Sequence, residues 1–131
     1  MTARIEFSVG PVAGPRAGGE VTAACEEAMG AADIKAPAFG PHEPVIAAID
    51  VYRPLPDSRQ GRVRPEPDTY GPDAASEARL VIDALTGVAW ADDAQVVDLH
   101  VRKRPRARGQ AGRMDVTIAP GWRGNGTEAG E

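Results

Sequence analysis

Three aspartates stand where chemistry could be assembled: Asp73, and the adjacent pair Asp92 and Asp93. Carboxylates gathered at one place suit Mg²⁺, which takes oxygen ligands from one or two acids and completes its shell with water and substrate phosphate. The same residues also make ordinary structure, Asp73 as a helix cap and Asp92-Asp93 as an acidic turn. Two basic stretches interrupt a chain whose net charge is −4. Arg102 to Arg113 holds six basic residues (Arg102, Lys103, Arg104, Arg106, Arg108 and Arg113) and no acid, and Arg53 to Arg64 holds four (Arg53, Arg59, Arg62 and Arg64) against Asp57. Thirteen of the 15 basic residues are arginine, which suits bidentate phosphate contacts but which a genome's coding bias also produces. An acidic body with localised basic segments leaves a nucleic-acid ligand open despite the negative total.

The elements that must carry these residues follow from periodicity. Residues 4–9 alternate, with Ile5, Phe7 and Val9 on one side, and read as a half-buried strand. Val21, Ala24, Cys25, Ala28, Met29 and Ala32 form one stripe of a helix from Glu20 to about Asp33, which makes Cys25 a small core residue before it is a reactive thiol. Residues 44–53 alternate again as a second strand. Residues 54–72 contain five prolines, too many for regular structure and too long for an idle connection. Asp73 to Thr86 reads as a second helix, with Asp73 as N-cap and Gly87 as its stop. A strand over 95–104, with Val97, Leu99 and Val101 facing in, and another over 114–119 are expected to pair as a hairpin through the basic turn 105–113.

This order predicts an α+β domain, a small mixed sheet with two helices packed on one face, over residues 1–119, with a frayed tail at 120–131. A chain of 131 residues builds one modest core, and a second copy would cover the sheet's free face. One cysteine excludes an internal disulfide, and with only His42 and His100 beside it a structural zinc site is not expected. No apolar run reaches the length of a membrane helix, and residues 1–10 lack a secretory leader's pattern, so the expected location is the cytoplasm. The glycines of 10–19 lack the Gly-Lys-Ser/Thr ending of a phosphate-binding loop. Trp90 reads as a core aromatic, and His100, with no second histidine near it, as a surface residue.

The stretch from Pro72-Asp73 through Asp83-Ala84-Leu85 to Trp90-Ala91-Asp92-Asp93-Ala94-Gln95-Val96-Val97 resembles the RusA family of Holliday junction resolvases. The family's signature opens with Pro-Asp-x-Asp-Asn-x-x-Lys, continues to Asp-Ala-Leu, and closes with an aromatic residue, x-Asp-Asp-x-Gln-Val-Val and a basic-ended strand. The order of elements is similar over residues 4–119. The resemblance implies a RusA-like fold, a homodimer, a four-way DNA junction as ligand in recombination and repair, and Mg²⁺ as cofactor. Carried over by position, it makes Asp73 and Asp93 metal ligands, with Asp92 beside them, and sets Arg79 at the family's lysine. The basic residues Arg16, Arg59, Arg62, Arg64, Arg102, Lys103, Arg104, Arg106 and Arg108 would then contact DNA. The second family aspartate falls on Ala75 and the asparagine on Ser76. Glu77 lies roughly 160° around the helix from position 75, Asp68 would have to fold in from the loop, and Asp92 would have to turn inward.

Three readings follow from these residues: a Mg²⁺-dependent junction endonuclease, a homologue that binds branched DNA without cutting it because Ala75 leaves the metal underligated, and a small acidic interaction protein.

Overall fold

Alternating apolar residues make four strands, and two amphipathic segments make the helices that cover them. The computed structural model describes residues 4–11, 16–56, 58, 61 and 64–121. In chain order the elements are β1 (Ile5–Val9), α1 (Ala17–Ala31), β2 (Val45–Tyr52), α2 (Ala74–Leu85), a 3₁₀ turn (Asp93–Gln95), β3 (Val96–Lys103) and β4 (Arg113–Pro120). The strands form one mixed sheet in the order β1-β4-β2-β3, with β2 and β3 parallel and β4 antiparallel to both β1 and β2. Both helices pack on one face, so the expected α+β architecture is the observed one.

The core lies between that face and the helices. Ile5 and Val9, then Val45, Ile49 and Val51, then Met114, Val116 and Ile118 meet Val21, Cys25 and Met29 of α1 and Val81 and Leu85 of α2. Cys25 is buried, and burial, helped by Glu26, pushes its thiol up to about 11, as befits a core residue. Trp90 is fully buried, its indole N–H donating to Thr86 Oγ1 at 3.0 Å. The opposite face carries Asp50, Asp98, His100, Arg102 and Asp115, several of them ion-paired, and is polar.

Three expectations need correction. The strands β3 and β4 are not a hairpin: β2 lies between them, and the basic segment after Lys103 crosses the end of β2 instead of turning back. Arg104 N–H donates to Val51 O, and Arg106 exchanges backbone hydrogen bonds with Glu66, so the proline-rich loop and the crossing are stitched together. Helix α1 starts at Ala17, three residues early, because Ala17 is itself buried and brings Gly18 and Gly19 into the first turn. Leu99 points to the helix side but remains 42% exposed, because β3 is an edge strand that α2 only partly covers. A register shift beside Val45 sets Val96 against the core in place of Val97, which is 61% exposed. From residue 122 the expected tail lies outside the described residues, and Pro120 belongs to β4. Among the described residues no helix is long and apolar enough to cross a membrane.

Candidate active site

Helix α2 starts where it does because Asp73 caps it: its Oδ1 accepts from Ser76 N–H at 2.8 Å, satisfying one of the free amides of the first turn. Hydrogen bonds from Ser76, and then the charge on Lys103, hold the Asp73 carboxyl below the ordinary carboxylate range. The apolar stripe of α2 faces the core, which leaves Ala75 and Arg79 exposed on its outer flank. At its far end Gly87, with φ of 94°, takes a left-handed conformation that other residues resist, and the chain returns to the sheet.

The return is held by Gln95. Its buried side chain accepts from Ala91 N–H and Asp92 N–H, both at 2.8 Å, and donates to Gly40 O at 2.7 Å and Glu43 O at 3.0 Å. Asp92 reciprocates by accepting from Ala94 N–H at 2.9 Å, which completes a capping box around the 3₁₀ turn. That bond, then one with Asp93, keeps the Asp92 carboxyl low. Asp92 is thus the cap of the turn, and Asp93, which shares a hydrogen bond with it, is exposed. The Asp-x-x-Gln spacing of a capping box was present in the sequence, although the clamp's reach to residues 40–43 was not. We expect Gln95→Ala to cost about 2 kcal/mol, at roughly 1 kcal/mol net per lost hydrogen bond with part recovered by water, measured by urea denaturation.

The capped helix and the clamped turn bring Ala75, Arg79 and Asp93 into one open depression of about 400 Å³, shared with Ala78, Ile82, Val96 and Leu99. Asp73 lies two residues before Ala75 at the same helix end. Among the described residues no three His, Cys, Asp or Glu side chains gather to hold a metal ion. Two carboxylates, Asp73 and Asp93, are a donor set that suits Mg²⁺ only when water and a substrate phosphate complete the shell. Asp93 lines the depression and Asp73 does not, so the described residues form no closed protein cage for the ion.

The other acids near α2 are committed elsewhere. Asp68 does fold inward from the proline-rich loop, but onto Arg53, whose Nε and Nη2 reach its two oxygens at 2.9 and 3.2 Å. Its side chain is fully buried, with Lys103 Nζ and Arg106 Nη1 each at 3.8 Å. Burial alone would raise the Asp68 carboxyl; the Arg53 hydrogen bond and charge, Tyr70 N–H and Lys103 outweigh it and set it below its ordinary value. Lys103 also donates to Tyr70 O, while Arg106 donates to Pro54 O at 2.8 Å and lies over the Tyr70 ring. Glu77 is buried on the flank of α2 away from Ala75, and desolvation raises its carboxyl despite Arg53 and Lys103 nearby. Neither Asp68 nor Glu77 therefore replaces the carboxylate absent at position 75.

The basic segment is less uniformly free than its composition suggests. Lys103 and Arg106 are turned onto Asp68, and Arg102 pairs with Asp50 at 3.0 Å at a largely exposed position. Arg104 sits 3.9 Å from Asp50, and Arg108, Arg64 and Arg16 are exposed. Arg59 and Arg62 lie outside the described residues.

With this geometry in hand, comparison with known proteins gives a direct answer on ancestry. The family model described as endodeoxyribonuclease RusA matches residues 19–119, more than half of the chain, and the chain belongs to that family. It is also similar to a protein of Bacillus subtilis (strain 168) described as uncharacterized protein YqaN, at 38% identity over 71 residues. That alignment covers 46% of this chain and 48% of the Bacillus protein, so the chain spans about half the length of the curated relative it matches.

Proposed function

We propose that the protein is a RusA-type endonuclease that binds four-way DNA junctions and cuts them with Mg²⁺, in recombination and repair. The observation that carries this reading is the meeting of Arg79 and Asp93 in one depression on the outer flank of a helix capped by Asp73, in a chain of the RusA family. Asp73 and Asp93 would hold Mg²⁺, which when bound supplies an activated water and neutralises charge developing on phosphate. Arg79 offers a planar guanidinium to the scissile phosphate, a fixed charge where the family lysine offers a titratable one. Asp92 keeps Asp93 in place through the turn it caps. The exposed arginines would track the DNA backbone.

A second reading, junction binding without cleavage, is favoured by one observation: Ala75 stands in the depression where the family's second aspartate would. Incubating the purified protein with a synthetic four-way junction, with Mg²⁺ or with EDTA, separates the two. Mg²⁺-dependent nicks support the first, salt-sensitive binding without nicks supports the second, and no preference for the junction over linear duplex sinks both.

The structure sharpens which arginines to test. Arg104→Ala and Arg108→Ala should each lower the slope of log affinity against log salt by about 0.9, the signature of one lost phosphate contact. Arg106→Ala should leave the slope and reduce stability instead, because its guanidinium serves Asp68, Pro54 O and Tyr70. A slope unchanged in all three would mean that the crossing segment faces away from DNA.

A homodimer belongs to the same proposal, since two strands of a two-fold junction call for two equivalent sites. Its contact surface is better sought at the edge strand β3, where Val97 and Leu99 are exposed, than on the polar free face. Sedimentation at micromolar concentration should give a dimer, and Leu99→Lys should shift it toward the 13.7 kDa monomer. A parent that sediments as a monomer removes the dimer from the proposal.

A further inference from the structure

Strand β3 ends the sheet order, so its outer edge meets no other strand among the described residues. Arg104 N–H points inward, to Val51 O, and because backbone groups alternate along a strand, the N–H and C=O of Leu99, Val101 and Lys103 point outward. Such a row of donors and acceptors is a template for another strand, which proteins commonly blunt with charge. Here the charges on the polar side of the edge are Asp98 and Arg102, with His100 between them.

These charges do not repel every partner. Asp98 and Arg102 have opposite signs and stand two residues to either side of His100, so a second β3 laid antiparallel about His100 sets each Asp98 opposite the partner's Arg102. The same register sets each Leu99, exposed on the helix side, opposite the partner's Val101, where the outward backbone groups meet. Asp98 meets His100 at 2.9 Å and Arg102 meets Asp50 at 3.0 Å, but the Asp98 and Arg102 side chains are both more than half exposed. A second copy extends these pairs across the edge. Sliding by one pair breaks the match: centred on Leu99, Arg102 reaches the shifted start of the strand at Val96, and centred on Val101, Leu99 faces Lys103.

We propose that two copies of this chain join through antiparallel pairing of their β3 edges about His100, which merges two four-stranded sheets into one with both helix layers on the same side. This rests on the homodimer proposed above and supplies its geometry. Because Leu99 also lines the depression that holds Arg79 and Asp93, the pairing sets two such depressions beside one two-fold axis.

A disulfide tests the register. The residue on the axis faces its own copy at a non-hydrogen-bonded position with Cα atoms about 4.5 Å apart, within the span of a disulfide. Mild oxidation of the full chain carrying His100→Cys, at micromolar concentration, should therefore convert most of it to a disulfide-linked dimer on a non-reducing gel. Asp98→Cys should stay largely unlinked, since its two copies stand roughly 13 Å apart along the strands. The native Cys25 is buried in the core and is common to both variants. Asp98→Lys, which sets like charges opposite each other at two places, should raise the dimer dissociation constant at least about tenfold in sedimentation. A parent that sediments as a dimer while His100→Cys stays unlinked, or links no faster than Asp98→Cys, overturns the edge pairing and leaves the homodimer standing. An unchanged dissociation constant for Asp98→Lys also counts against the pairing, and a monomeric parent removes the pairing and the homodimer together.

Discussion

Ala75→Asp should raise Mg²⁺-dependent cleavage of a four-way junction by at least about tenfold, equivalent to roughly 1.4 kcal/mol of transition-state stabilisation. Position 75 is exposed, lies in the first turn of α2 and shares the depression with Arg79 and Asp93, so a carboxylate there adds a third acid beside Asp73 and Asp93 without disturbing the core. The helix dipole favours the added charge by about 0.3 to 1 kcal/mol, which keeps folding intact. Crowding of the three acids weakens once a divalent cation binds, so the variant should also gain more melting temperature from Mg²⁺ than the parent does. Asp73→Asn should abolish cleavage in either background, and because Asn also caps helices it should do so with little loss of stability. A parent that already cuts and gains nothing from Ala75→Asp would assign the missing ligand to Asp92, since Asp68 is held by Arg53 and Glu77 is buried on the far flank. If parent and variant both fail to cut or to respond to Mg²⁺, the non-catalytic reading stands.

The largest stability effect should come from Asp68→Ala. The substitution leaves Arg53, which is mostly buried, without its bidentate partner and brings Lys103 and Arg106 close to it with no intervening negative charge. Breaking one side of a buried pair costs about 3 to 5 kcal/mol, and for a domain of this size that is a fall of roughly 10 to 20 °C in melting temperature. The effect should depend on pH in one direction. Because the folded-state carboxyl is held below the ordinary 3.8, its stabilisation is present above that value and is lost as pH falls through the lower, folded-state value. Melting curves at neutral pH should therefore separate parent from variant widely, and the gap should narrow below pH 3.8. A gap that persists unchanged into strong acid would show that Asp68 acts through packing and not through its charge.

The amino-acid order alone determined every helix and strand to within a few residues, because each has a local cause: the alternation at Ile5, Phe7 and Val9, the stripe from Val21 to Ala32, the Asp73 cap and the Gly87 stop. It also determined the family and named Asp73, Arg79 and Asp93 as candidates, of which the fold brings Arg79 and Asp93 into one depression. What only the tertiary structure decided is how elements far apart in the chain meet. Alternation assigns a side chain to a face but does not say which strand lies alongside, so the β3–β4 hairpin looked natural until β2 was found between them. Nor does alternation say where the cover of helices ends or where the register shifts, which is why Leu99 faces the helix side and still reaches solvent, and why Val96 takes the inward place expected of Val97. Charge runs mislead for the same reason. The acid that binds Arg53, Lys103 and Arg106 lies in a different segment from the crossing it neutralises, and the electrostatics of a partner depend on distance in space, which no period along the sequence records.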